Sequence, residues 1–367
     1  MKLDELSQFL FRAHFFDNWS SIMSTSSTHR IRKYLPLSKG PWPTLDPFLF
    51  CVHHLDLYPK GNPKMEPQAS LSGRTLGSDF SYKDGWSMYH GSHIPGFPRH
   101  PHRGFETITV ARQGYIDHSD SLGATARFGH GDVQWMTAGK GICHSEMFPL
   151  VNQDRDNPTE LFQIWLNLPK VDKMTTPYFT MFWNPTIPHL QKVDSKGKKT
   201  QIKVIAGQLE QANPPKPPPN SWASRPQAHI GIWSVRQDSQ ATWVLPPTPN
   251  PDVNRVLYFF KGKKLRIDGE YVDQGHGVHL DGVGEAQVVN GEGEAEFLIL
   301  QGMPIGEPVV QHGPFVMNTP NEIRQAIFDY RRTEFGGWPW KGDDPVHARL
   351  DQRFAIHADG RKDIPTP

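Results

Sequence analysis

Hydrophobic residues in much of the chain recur at every second position, in short runs separated by turn residues. Between Glu106 and Gly141 the segments ETITVARQG, YIDHSDSLG, ATARFGHGD and DVQWMTAGKG each predict a short strand bounded by a glycine turn. Strands spaced about 8 to 12 residues apart are typical of β-sandwiches and β-barrels, not of βαβ units. The pattern therefore predicts an all-β fold.

A second β-rich half follows a Pro-rich loop, NPPKPPPN, and repeats the short-strand shape of the first half. We expect an N-terminal extension or arm at 1–45, a first domain at 46–185 and a second domain at 186–318. The remaining residues, 319–367, are expected to form a helix and a tail. Both the arm and the tail are predicted to lie on the surface.

One helix is predicted near the C-terminus. Thr319, Pro320 and Glu322 form a capping box with proline at the first helical position. Apolar residues then recur at the spacing of one helical face: Ile323, Ala326, Ile327 and Tyr330. The glycine pair at 336–337 is expected to end the helix.

Composition narrows the class of protein. Lys and Arg total 39 and Asp and Glu total 38, so no global nucleic-acid or membrane footprint is present. No apolar run approaches the roughly 18 residues of a membrane helix. Two cysteines, Cys51 and Cys143, are too few for a disulfide framework. Without a secretory pattern at the N-terminus, we expect a cytoplasmic or nuclear protein.

Two pairs of potential metal ligands stand out in the first half. His100 and His102 are two residues apart, and so are His144 and Glu146. Because alternate residues of a strand point to the same face, each pair can present two donors to one side of a sheet. Imidazole and carboxylate donors suit Fe, Mn, Co, Ni or Cu better than Ca or Mg, and iron is preferred.

The residues that carry a family resemblance are FPRHPHRGFETIT, DHSDSLG, GDVQWMTAGKGICHSE and QHGPFVMNTPNEIRQAI. They resemble the pirin family of the cupin superfamily over roughly 46–338. The resemblance implies a bicupin, two β-barrels facing each other, with one Fe2+ in the N-terminal barrel. The ligands that it implies are His100, His102, His144 and Glu146. It also implies that the second barrel carries no metal.

The fourth ligand has an alternative. The run from His100 to Glu106 also fits the general cupin motif, in which the later glutamate is a ligand. Strand alternation would allow Glu106 to point inward with His100 and His102. We favour Glu146, and expect Glu106 to orient a ligand imidazole or to contact backbone. His276 and His279, three apart, are expected to be loop residues without metal.

Two functions follow from the resemblance. The first is a quercetin 2,3-dioxygenase type of enzyme that cleaves flavonols with O2, in which Glu146 acts as general base for the flavonol hydroxyl. The second is a non-enzymatic nuclear co-regulator whose metal redox state controls binding of a transcription factor. A monomer is expected, with no direct nucleic-acid or membrane contact.

Several neighbouring residues also receive expectations. Gly104, Gly139 and Gly141 are expected at positive φ or close backbone approaches that position the ligands. Trp135 and Cys143 are expected in the core. Arg103 follows the second histidine and is expected either to place charge near the pocket or to form a surface salt bridge.

Overall fold

The computed structural model describes residues 30–365, and nearly all of their regular structure is β-strand. All strand pairs of the sheets are antiparallel, and they form two β-barrel halves. The predicted all-β fold with two such domains is therefore confirmed. Among the described residues, no helix is long and apolar enough to cross a membrane.

The first barrel packs a five-stranded sheet against a six-stranded sheet. Its own strands are β2 Phe48–Tyr58, β3 Gly96–His102, β4 Phe105–Gln113, β5 Tyr115–Asp120, β6 Thr125–Gly129, β7 Val133–Thr137, β8 Ile142–Met147, β9 Asn157–Asn167 and β10 Tyr178–Phe182. The five-stranded sheet has the order β10-β7-β4-β9-β2, and in the other sheet β6, β5, β8 and β3 are neighbours. Apolar side chains from both sheets share one core cluster.

The second barrel follows directly along the chain. Its strands are β11 His189–Val193, β12 Lys199–Ala206, β13 Gly231–Gln237, β14 Thr242–Leu245, β15 Asn254–Lys261, β16 Lys264–Ile267, β17 Glu270–Asp273, β18 His276–Leu280, β19 Ala286–Asn290 and β20 Ala295–Gly302. A hairpin of β21 Val310–His312 and β22 Phe315–Met317 follows. His276 and His279 lie on β18, so their placement in a loop was wrong.

The two ends of the described chain each join the sheet of the opposite barrel. Near the N-terminus, β1 Ile31–Pro36 pairs with β18 of the second barrel. Near the C-terminus, β23 Phe354–Ile356 pairs with β6 of the first barrel, and β24 Lys362–Asp363 pairs with β23. The arm and the tail are thus partly built into the sheets, which the sequence did not predict. Residues 1–29 of the predicted arm lie outside the described residues.

The two barrels share a hydrophobic core. Side chains from the outer face of the five-stranded sheet, such as Ile108 and Trp135, cluster with Ile232, Tyr258 and Leu300 of the second barrel. All five are buried, and Trp135 is in the core as predicted. Burial of these apolar side chains stabilises the contact between the two barrels.

The C-terminal helix, α1 Pro320–Thr333, begins as predicted. The Thr319 side chain accepts a hydrogen bond from the backbone N–H of Glu322, which confirms the capping box. Ile323 and Ala326 are buried against the β21–β22 hairpin. The helix ends at Thr333, before the predicted glycine pair, because Glu334 adopts a left-handed backbone with φ 47°.

Candidate metal centre

Three histidines converge on the inner face of the six-stranded sheet. His100 of β3 lies directly across from His144 of β8, and His102 lies two pairs further along β3, opposite Ile142. Cross-strand partners in a sheet point to the same side. One potential ligand nitrogen from each of these three imidazoles lies within 4.8 Å of the others. The spacing in the sequence thus brings His100, His102 and His144 together as predicted.

The protonation of the three imidazoles suits a bound cation. Burial lowers the pKa of His100 to about 4 and holds the pKa of His102 and His144 well below the usual value. Neutral imidazole is the form that binds metal. Within residues 30–365, Nδ1 of His102 and both ring nitrogens of His144 are buried without a hydrogen-bond partner. Unpartnered buried nitrogens are costly unless a ligand satisfies them, so these residues fit a divalent metal.

A backbone carbonyl orients one of the three rings. The Nδ1 atom of His100 donates to the carbonyl of Pro98 at 2.9 Å, which leaves its Nε2 for the centre of the cluster. Next to His102, the backbone N–H of Arg103 donates to the carbonyl of Pro314 at 3.2 Å. Pro314 precedes β22, so the hairpin after the second barrel helps to position a residue of the first.

Two glycines set the path of the loops that carry the ligands. Gly104, at φ 85°, turns the chain between β3 and β4, and a Cβ there would lie 1.9 Å from the carbonyl oxygen of Val316. Gly141, at φ 133°, has the ring of Phe335 where its Cβ would be. Both glycines are required for close approach, and the expectation of positive φ is confirmed for them and for Gly139.

A buried ion pair fixes the same loops to the helix. Arg103 is 5% exposed, donates to the carbonyl of Lys140 at 2.7 Å and pairs with Asp329 of α1 at 2.8 Å. Its guanidinium also lies 4.5 Å from the centre of the Phe335 ring. Of the two expectations for Arg103, the salt bridge is correct, although it is buried beneath the helix and not on the surface.

Glu146 lies two residues beyond His144 on β8 and lines the same pocket as His100 and His102. Its carboxylate accepts a hydrogen bond from the Thr109 hydroxyl at 2.8 Å. Burial raises the pKa of this carboxyl, while the Thr109 hydrogen bond lowers it. Glu146 is not part of the compact three-histidine group. It is nevertheless the carboxylate that the strand places beside that group.

Glu106 points away from the histidines. On β4 the alternate residues Thr107 and Thr109 pair with Trp165 and Gln163 on one face, which puts Glu106 on the other. Its two oxygens accept from the hydroxyls of Thr137 and Ser221, at 2.6 and 2.5 Å. The expected contact with a ligand imidazole is therefore wrong, because the turn at Gly104 breaks the alternation that starts at His102.

Two further polar residues on this sheet face were missed from the sequence. Across the β5–β8 pair, His118 lies opposite Glu146 and Asp120 lies opposite His144. Both side chains are fully buried, and His118 Nε2 lies 3.2 Å from Asp120 Oδ2. Their spacing of two residues matches the spacing of the ligand pairs. That shared spacing in DHSDSLG was the available signal.

A pocket of about 730 Å3 opens beside the histidines. Its walls include Phe50, Phe97, Phe148, Leu161 and Trp165 of the first barrel. Residues 37–42 of the arm and residues of the second barrel, among them Phe260 and Gln274, also line it. Apolar walls with a few convergent polar groups are typical of sites for small organic molecules.

Family models match both halves of the chain. The pirin model matches residues 63–166, and the model of the pirin C-terminal cupin domain matches residues 233–336. A pirin-like protein of Caulobacter vibrioides is 36% identical over 271 residues, which are 73% of this chain and 90% of that protein. A candidate quercetin 2,3-dioxygenase of Pseudomonas aeruginosa is 33% identical over 65% of this chain and 79% of its own length.

The fold is similar to a solved structure as well. The crystal structure of a quercetin 2,3-dioxygenase from Acinetobacter baumannii superposes with a TM-score of 0.66 at 25% sequence identity. The match covers 84% of this chain and 98% of that one. The similarity therefore extends over both barrels.

Proposed function

The chain belongs to the pirin family of the cupin superfamily, and on that premise we propose that it is a quercetin 2,3-dioxygenase type of enzyme. Its Fe2+ ligands would be His100, His102, His144 and Glu146. One observation carries the proposal: three neutral buried imidazoles, two of them with nitrogens that have no hydrogen-bond partner within the described residues, converge within 4.8 Å beside an aromatic-lined pocket. The names of the relatives from Pseudomonas and Acinetobacter support the choice of a flavonol as substrate.

The residues of the metal centre have different roles. His100, His102 and His144 supply neutral nitrogen donors, and the carbonyl of Pro98 keeps the His100 ring in place. A divalent iron bound there would polarise a chelating hydroxyl and carbonyl pair and exchange electrons with O2.

Glu146 is the residue we assign as general base. Burial raises its pKa, which makes the carboxylate a better acceptor for the proton of a flavonol 3-hydroxyl. The Thr109 hydroxyl holds one oxygen, and the amide of Gln163 lies 2.8 Å from that hydroxyl. The second oxygen of Glu146 is left for the metal or for the substrate proton.

The pocket walls provide the apolar surface that a planar polyphenol needs. Phe97 and Trp165 both line the pocket, and they contact His100 and His102 respectively with ring centroids 6.4 and 5.5 Å apart. Aromatic side chains that approach a site in this way exclude water and favour flat aromatic ligands.

The test follows turnover and metal together. The iron-loaded protein is mixed with quercetin in air, and the flavonol absorbance band and O2 consumption are recorded. We expect bleaching with an equivalent uptake of O2, and loss of both in His144→Ala. If the iron-loaded wild type leaves quercetin unchanged while His144→Ala loses its metal, the dioxygenase proposal fails but the metal centre stands.

The co-regulator alternative has less support. The basic residues at 30–33 are the stretch that would serve nuclear import or phosphate contact in that alternative. In the structure Ile31 and Lys33 pair with β18, and Arg30 and Arg32 form ion pairs with Asp268 and Asp281. These residues are therefore engaged by the second barrel.

A further inference from the structure

A hydrogen-bonded chain of three side chains lies in the pocket wall away from the metal ligands. His54 Nδ1 lies 2.7 Å from the hydroxyl of Tyr89, and that hydroxyl donates to Asp56 at 2.8 Å. His54 and Tyr89 line the pocket, while Asp56 is fully buried behind them. None of these residues belongs to the three-histidine group.

The strand register places His54 inside the first barrel. On the β2–β9 pair, Val52 lies opposite Gln163 and His54 lies opposite Leu161. Gln163 in turn faces Thr109, which donates to Glu146. His54 therefore shares the inner face of the five-stranded sheet with the group that holds the proposed base.

An aromatic bridge connects this wall to the metal ligands. The ring of Phe97 lies 6.0 Å from His54 and 6.4 Å from His100, measured between centroids. Tyr89 stacks on the same ring at 5.0 Å. One ligand resting on Phe97 could thus reach the metal ligands at one end and His54 at the other.

The network fixes which atom His54 offers. The Asp56 carboxylate accepts from the Tyr89 hydroxyl and from the backbone N–H of Ser87. Burial raises the pKa of Asp56 to about 7, so above that pH the ionised carboxylate accepts the Tyr89 proton. Tyr89 then accepts from His54 Nδ1, and Nε2 of that neutral ring is the acceptor. Burial lowers the pKa of His54 to about 3, which keeps the ring neutral. Within residues 30–365, Nε2 has no hydrogen-bond partner.

The backbone around Tyr89 is held in an unusual conformation. Tyr89 adopts φ 55°, a left-handed region that aromatic residues rarely occupy. Paired backbone hydrogen bonds with Asp79, at 2.8 Å each, hold it there. Asp79 is itself fixed by a buried ion pair with Arg74. Strain maintained in this way is characteristic of binding sites.

We propose that His54, positioned by Tyr89 and Asp56, accepts a hydrogen bond from a hydroxyl group of a polyphenol. That hydroxyl belongs to the aromatic ring that lies farthest from the hydroxyl and carbonyl that chelate the metal. This inference rests on the proposed function and deepens it. It predicts that the pocket prefers aromatic ligands that carry such a distal hydroxyl over ligands that carry only the chelating hydroxyl and carbonyl.

Two flavonols distinguish recognition at the metal end of the pocket from recognition at the His54 end. Quercetin and 3-hydroxyflavone share the 3-hydroxyl and 4-carbonyl, but only quercetin has hydroxyls on its other rings. Binding of each to the iron-loaded full chain is measured by fluorescence quenching under anaerobic conditions. We expect the wild type to bind quercetin roughly tenfold more tightly, the effect of one buried hydrogen bond.

The variants assign that difference to His54. His54→Ala should weaken quercetin binding roughly tenfold and leave 3-hydroxyflavone unchanged. Tyr89→Phe keeps an aromatic ring stacked on Phe97 but removes the hydroxyl that fixes the tautomer of His54. This variant should therefore lose part of the preference for quercetin over 3-hydroxyflavone. His93→Ala, whose side chain is 74% exposed, is the matched control and should bind both flavonols like the wild type.

Three results would overturn the inference. Equal affinity of the wild type for both flavonols contradicts it, and the dioxygenase proposal survives if quercetin is still consumed. Equal weakening of both flavonols in His54→Ala shows a structural effect instead of recognition. Failure of both flavonols to bind the iron-loaded wild type removes the proposed function and this inference together.

Discussion

His144 is the residue on which the metal centre depends most. Both of its ring nitrogens are buried without a hydrogen-bond partner in the described part of the chain, whereas His100 already donates from Nδ1 to Pro98. Because an unsatisfied buried imidazole is destabilising, a bound cation should stabilise the fold as well as enable chemistry.

Residue spacing predicted this group, but it could not predict every side chain around it. His100, His102 and His144 followed from alternation within single strands, which is a local property. The orientation of Glu106 did not follow from this alternation, because the turn at Gly104 changes which face of the next strand is inward. His54 could not be found either, since its role depends on contacts with Tyr89, 35 residues away.

Glu106 gives a pH-dependent prediction. Burial raises its pKa from 4.5 to about 7. A carboxyl with a raised folded pKa favours folding when protonated, so this stabilisation is complete below about pH 4.5 and is lost as the pH rises through about 7. Glu106→Gln mimics the protonated form and should lack this loss.

Urea denaturation at pH 5 and pH 8 provides the measurement. Relative to Glu106→Gln, the free energy of unfolding of the wild type should fall by up to ~3 kcal/mol over that interval. Parallel pH dependence in the two proteins would show that Glu106 does not titrate with a raised pKa in the folded chain.

At the scale of elements, the C-terminal helix holds the ligand loops in place. Arg103 connects Asp329 of α1 to the carbonyl of Lys140, in the loop that leads to His144. The capping box and apolar face of this helix were readable from the sequence because both are local signals. Its contact with the loop was not, since Arg103 and Asp329 are 226 residues apart.

Asp329→Asn tests the ion pair between Arg103 and the helix. The change leaves the buried Arg103 charge without its carboxylate, so the free energy of unfolding should fall by ~1–3 kcal/mol. Iron affinity should fall roughly tenfold because the loop before His144 is less well held. Denaturation and competitive chelator titration measure the two effects.

Asp343→Asn is the matched control for Asp329→Asn. Asp343 is 58% exposed and lies 3.9 Å from Arg99, so its loss should change stability by less than about 0.5 kcal/mol. Equal effects of the two substitutions, or unchanged iron affinity in Asp329→Asn, would contradict the role given to Arg103 and α1.

At the scale of the whole molecule, the two barrels depend on each other. The five-stranded sheet of the first barrel buries its outer face against the second, and strands from each end of the chain complete the opposite barrel. Sequence patterns predicted two β-rich halves. They could not show the exchange of strands, because β1 and β23 pair with residues more than 200 positions away.

Truncation after Trp340 tests the contribution of the tail. It removes β23 and the carbonyls of His347, Ala348 and Asp351, which accept from the buried guanidinium of Arg127. We expect the Tm to fall by roughly 5–10 °C, since a buried charge loses several partners. Differential scanning calorimetry gives the value.

Truncation after Gly360 is the control, because it removes β24 but leaves β23 and the contacts of Arg127. It should leave the Tm within about 2 °C of the wild type. An unchanged Tm in the longer truncation would mean that the tail only covers the first barrel.

The iron content of single-residue variants tests the metal centre most directly. Wild type, His144→Ala, Glu146→Gln and Glu106→Gln are loaded with Fe2+ anaerobically, desalted and measured by mass spectrometry of the metal. The wild type and Glu106→Gln should hold about one iron per chain, Glu146→Gln less, and His144→Ala almost none. Full iron in His144→Ala, or loss of iron in Glu106→Gln with retention in Glu146→Gln, would contradict the assignment.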